Sequence, residues 1–108
     1  MKIKTSELVG AALDYAVAKA EGLKVVSNTP AGTYTKERGW FAPTTDWAQG
    51  GPIIGRELIS IDYDHNVWNA AKYDLDWYIS GPTPLIAAMR CFVSSKLGDE
   101  VEIPEETL

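Results

Sequence analysis

Gly81-Pro82-Thr83-Pro84-Leu85-Ile86-Ala87-Ala88-Met89-Arg90-Cys91-Phe92-Val93-Ser94-Ser95-Lys96-Leu97-Gly98 reads as one helix with both ends marked. Thr83 is a good N-cap, and Pro84 at the first helical position has its φ preset for the helix. Leu85, Ile86, Met89, Phe92, Val93 and Leu97 recur at helical spacing and form an apolar stripe. Gly98 follows as the C-cap. A helix this apolar on one side needs a surface to cover, and the residues before it supply strands.

Leu58–Asp64 alternates, with Ile59, Ile61 and Tyr63 facing one way and Ser60, Asp62 and Asp64 the other. Asp64-His65-Asn66 is turn chemistry, so Val67–Tyr73 is expected to return as the second strand of a hairpin. Trp77–Ser80 is expected as a third strand. Further upstream, Leu23–Ser27 and Thr33–Lys36 read as two weaker strands around the turn Asn28–Gly32. At the start, Leu8, Ala12, Tyr15, Ala16 and Lys19 lie on one side of a first helix and Val9, Leu13, Ala16, Val17 and Ala20 on the neighbouring side, an apolar arc widened by alanines. Thr5 or Ser6 is its expected cap, Glu7 sits in its first turn, and Gly22 stops it. The class is therefore α+β: an N-terminal helix, a small mainly antiparallel sheet, a long irregular loop, and a C-terminal amphipathic helix packed on the sheet.

The irregular loop is Trp40–Ile54, W-F-A-P-T-T-D-W-A-Q-G-G-P-I-I. It follows neither period, and Pro43, Gly50, Gly51 and Pro52 argue against a continuous helix or strand. A short helical turn from Pro52 to Glu57 is its one expected element. The 108 residues fit one domain, expected over 1–98, with an acidic tail over 99–108. That tail holds Asp99, Glu100, Glu102, Glu105 and Glu106 and no base. Formal net charge is -5 with a pI near 4.7, which argues against general nucleic-acid binding. No apolar run approaches the roughly 20 residues that span a bilayer. The single cysteine, Cys91, excludes an internal disulfide and points to a reducing compartment.

No catalytic, metal or cofactor constellation stands out. Cys91 and the lone His65 fall in a helix and a turn, with nothing to bring them together. Asp62 and Asp64 share a strand face and are either its wet side or a cation-binding pair. Gln49-Gly50-Gly51-Pro52 lacks the spacing of a phosphate loop. The four tryptophans carry the candidate site. Trp40 and Trp47 flank the irregular loop, beside Thr45, Asp46, Gln49, Gly50 and Gly51. Flat indoles beside polar groups either bind a planar ligand or partner, or pin the loop to the core. Arg90, at the edge of the last helix's stripe, or the loop's backbone amides are expected to meet the ligand's charge.

Three blocks carry a family resemblance: Lys4–Gly22, Pro43–Ile54 and Gly81–Val101. The chain resembles the NinX-like family of small proteins from tailed phages and prophages of enteric bacteria. The resemblance implies a phage or prophage origin and action in the host cytoplasm, and carries over no functional residue. Together these readings predict a non-enzymatic binding module for a small, nucleotide-like molecule or a host protein. Its expected site is Trp40, Thr45, Asp46, Trp47, Gln49, Gly50, Gly51 and Arg90, with no cofactor, no metal and no membrane partner. The alternatives are a small metal-dependent hydrolase or transferase using Asp62 or Asp64, and a structural homodimer completing the apolar helix.

Overall fold

The computed structural model describes residues 1–108. In chain order the elements are β1 (Lys2–Lys4), α1 (Gly10–Ala20), β2 (Val25–Thr29), β3 (Gly32–Thr35), β4 (Gly39–Phe41), α2 (Trp47–Glu57), β5 (Ile59–Asp64), β6 (Val67–Lys72), β7 (Ile79–Gly81), α3 (Pro84–Leu97) and β8 (Glu100–Glu102). The class is α+β, as the patterning predicts. The strands form three small antiparallel sheets rather than one: β2-β3-β4, β5-β6-β7, and the pair β1-β8.

α3 starts as its sequence dictates, with the Thr83 hydroxyl accepting the Ile86 N–H at 3.1 Å. Its environment differs from the expected one-sided cover. Leu85 and every residue from Ala87 to Val93 are buried, and the helix packs against α1, α2 and the β5-β6-β7 sheet. Ala87, Ala88 and Cys91 present so little bulk that neighbours close in where a polar face was expected. At Gly81 the approach is so tight that a Cβ would lie 2.7 Å from the Ala87 nitrogen. The β5–β6 hairpin forms as read, with His65 (φ 53) and Asn66 (φ 67) both left-handed in its two-residue turn.

The largest departure is the stretch expected to be irregular. Gly39–Phe41 pairs with β3, and Trp47–Glu57 is a helix of 11 residues. Asp46 caps it, its carboxylate accepting the Ala48 N–H at 2.9 Å. Pro52 lies inside this helix. A side chain on the preceding residue would clash with the proline ring in helical conformation, and Gly51 has none. Gly50 answers a packing demand: a Cβ there would sit 2.4 Å from the Pro43 carbonyl oxygen and 2.7 Å from Leu85 Cδ2. The glycines that appeared to break a helix are what let it form against its neighbours.

The two chain ends also differ from expectation. α1 begins at Gly10, where φ is 57, and not at Thr5–Glu7, which form a separate 3-10 turn. Thr5 is buried and donates its hydroxyl to the Gly98 carbonyl at 2.7 Å. The acidic end is tied into the domain. Glu100-Val101-Glu102-Ile103 alternates, so β8 pairs with β1 while Val101 and Ile103 enter the core and the acids stay in water. Thr107 is buried as well, accepting the Asn28 side-chain amide at 2.7 Å.

The close approach at Gly50 generates a measurable contrast. Gly50→Ala is expected to cost about 1–3 kcal/mol, as overpacking against backbone does. Gly55→Ala, in the same helix, meets nothing within 4 Å. It is expected to gain up to about 1 kcal/mol from helix propensity. Urea unfolding of both variants checks the pair.

Candidate functional site

A cavity of about 380 Å³ opens where α1 begins. Its walls are the turn Pro30–Gly32 with Thr33 of β3, Trp40 and Phe41 of β4, and the Thr44–Thr45 turn. Gly10, Ala11 and Asp14 of α1 complete it. Trp40 is 63% exposed. Its indole is nonetheless held in place. Tyr34 meets it edge-on at 5.2 Å, and the absent side chain of Gly32 leaves room for its ring. Gln49 fixes its backbone by donating to the Trp40 carbonyl at 3.0 Å and accepting the Ala42 N–H at 2.6 Å. That side-chain amide continues the hydrogen-bonding pattern of a strand beyond β4.

Asp14 is the unexpected member. It is 6% exposed. One carboxylate oxygen, Oδ1, accepts the Thr44 N–H at 3.0 Å. The other has no protein partner and is not sealed from solvent. Burial pushes the carboxyl up from its ordinary 3.8 to about 6, against the opposing pull of the Thr44 amide and hydroxyl. Thr44 is buried too. Its hydroxyl lies near the carboxyl without reaching hydrogen-bond geometry, and so has no partner. The amino end of α1, lining the same cavity at Gly10 and Ala11, has no side-chain cap. A buried polar cluster with donors and acceptors left over is unusual in a folded interior.

Of the residues the sequence singled out, Trp40 and Thr45 line this cavity. Trp47 is 55% exposed but lines a different, smaller hollow with Thr83, Pro84 and Leu85. The Thr44–Thr45 turn borders both hollows, so the two indoles do not form one slot. Asp46 is spent on capping α2, Gln49 on the β4 edge and Gly50 on packing, while Gly51 precedes Pro52. Arg90 is 8% exposed and donates from Nε to the Leu8 carbonyl at 2.9 Å and from Nη1 to the Ser80 carbonyl at 2.8 Å. Placing Arg90 on a stripe edge failed because α3 is buried on all sides. Asp14, Thr33 and Thr44 were missed. On the helical wheel Asp14 falls outside the apolar arc of α1, about 60° beyond Val17, where an acid is expected to face water, so no sequence signal marked it.

Two other sites lack comparable groups. A hollow of about 440 Å³ lies on the uncovered face of β5-β6-β7, with Asp62, Asp64 and His65 at its edge. Those three side chains are exposed, and no group of three or more His, Cys, Asp or Glu is placed to hold a metal. Cys91 is buried, and burial pushes its thiol up to about 11, away from the range of a nucleophile. No helix is long and apolar enough to cross a membrane.

Residues 4–96 match the family described as Bacteriophage P22, NinX. The matched stretch includes Asp14, Trp40, Thr44 and all three helices apart from the last residue of α3. No curated protein matches the chain.

The buried carboxyl gives stability a pH signature. Folded Asp14 keeps its proton to a higher pH than the unfolded chain does. Between about pH 4 and pH 6 the folded state therefore binds more protons, and stability from this group falls as pH rises through that window. Above it the loss is constant. Asp14→Asn removes the effect. The variant is expected to gain on the parent chain by on the order of 3 kcal/mol between pH 4 and 7, read from urea unfolding at each pH. Parallel pH profiles would show that Asp14 titrates normally.

Proposed function

This chain belongs to the bacteriophage P22 NinX family, and on that premise we propose that it is a non-catalytic binding module acting in the host cytoplasm. Its site is the cavity between Trp40 and Asp14, and its ligand is a small planar molecule stacked on the indole. One observation carries this reading: a largely exposed tryptophan, held on two sides, beside a buried carboxyl with an unpartnered oxygen. Tryptophan supplies a large, flat contact surface at little cost in conformational freedom. A buried, partly satisfied carboxyl lowers stability, and such groups concentrate at functional sites. The cavity volume lies within the roughly 300–1,000 Å³ range of small-molecule sites.

Binding is preferred to turnover because Asp14 is the one ionisable side chain in the cavity wall. It can anchor a donor, but no second ionisable acid or base stands beside it. The homodimer reading loses its motive, since α3 is buried by this chain's own elements.

The test is titration with nucleobases, nucleosides and aromatic amines, followed by tryptophan fluorescence and melting temperature. A ligand present at 100 times its Kd is expected to add about 2.7 kcal/mol of stability. Trp40→Ala should abolish the response and Trp47→Ala should preserve it. Silence across the panel, or dependence on Trp47 alone, would remove this site.

A further inference from the structure

We infer that the ligand presents to this cavity a planar edge of two adjacent N–H donors beside a carbonyl oxygen, the edge of a guanine-type base. The inference rests on the binding reading above and gives its ligand a chemistry.

Three groups in the wall define the edge. The Asp14 carboxylate accepts only, and its free Oδ2 beside a singly used Oδ1 suits two parallel N–H bonds. At Gly10 and Ala11 the uncapped start of α1 offers backbone N–H donors and a partial positive charge, which suit an oxygen acceptor. The buried Thr44 hydroxyl, unpartnered and in the same wall, can serve either kind of group. Acceptor and donors therefore lie within one cavity, with the Trp40 ring as a stacking surface.

Among the common bases, this pattern selects one. Guanine carries its ring N–H and amino group side by side, next to a carbonyl. Adenine and cytosine set a ring-nitrogen acceptor beside their amino group, which would face the carboxylate with like polarity. Uracil and thymine offer a single N–H between two carbonyls. No lysine or arginine lines the cavity, so any phosphate would remain outside it in water. Arg90, the cation expected to meet such a charge, is committed to two backbone carbonyls. A guanidinium from a partner protein shares the two-donor edge but lacks the carbonyl.

The experiment compares guanosine, inosine, adenosine and agmatine on the whole chain by calorimetric titration, and repeats guanosine and xanthosine on Asp14→Asn. Guanosine should bind, and inosine, lacking the amino group, should bind roughly tenfold or more weakly. Adenosine and agmatine should bind weakly or not at all. Asp14→Asn should lose guanosine and gain xanthosine, because an amide offers a donor where the carboxylate offered an acceptor, and xanthine a carbonyl where guanine has its amine. A purely structural role for Asp14 would not produce that exchange. Equal binding of guanosine and inosine overturns the edge on the unmodified chain, whether or not the variant folds. Agmatine competing as well as guanosine also overturns it, in favour of a guanidinium. Aromatic amines that bind through Trp40 while guanosine does not would overturn this inference and leave the binding reading intact.

Discussion

The structure depends on burying α3 on every side with a guanidinium inside the packing. Arg90 has no carboxylate partner, and burial lowers its pKa from the ordinary value. Removing such a cation from water is costly unless its N–H groups are paired. Two backbone carbonyls pair two of them, Leu8 before α1 and Ser80 in β7. One side chain thus joins α3, the third strand of its sheet and the approach to α1. It also holds the chain two residues before Gly10, where the left-handed φ of 57 starts the helix. The position of the cavity's amino end follows from that tie.

The cavity is built by residues that never enter it as ligands would. Gln49 reaches back from α2 to hold the β4 edge, and with it the backbone of Trp40. The turn after β4 is closed by Thr45 and Asp46 N–H groups on the Ala42 carbonyl, at 3.1 and 2.9 Å. It delivers the Thr44 amide to Asp14. Gly50 lets α2 sit against that turn. At the far end, Arg56 of α2, itself exposed, pairs with Glu21 and Glu57, and the half-buried Lys72 joins Glu57 at 3.1 Å, linking the helices and β6.

Local chemistry was legible wherever a residue's role is set by its own neighbours in the chain. The Thr83-Pro84 start of α3, the Asp64–Val67 hairpin and the Gly22 stop all formed as read. The Trp40–Ile54 stretch was misread because two of its signals have meaning only in contact. Gly50 avoids Pro43 and Leu85, which are distant in sequence or direction. Gly51 relieves the proline that follows it. The C-terminal acids drew attention to charge and away from the period of two in Glu100-Val101-Glu102-Ile103. For the site, the aromatic signal led to Trp40, while Asp14, outside the apolar arc of α1, reads along the chain as an ordinary solvent-facing acid.

The sequence by itself determined the α+β class, the limits of α3, the main hairpin and the family, because caps, turns and periodicity act over a few residues. Only the tertiary structure decided which polar side chains were free. Arg90, Asp46 and Gln49 found backbone partners, and Asp14 and Thr44 were left with capacity unused. A side chain's availability depends on every hydrogen-bonding group that folding brings near it. That sum is taken in space, and no spacing along the chain records it.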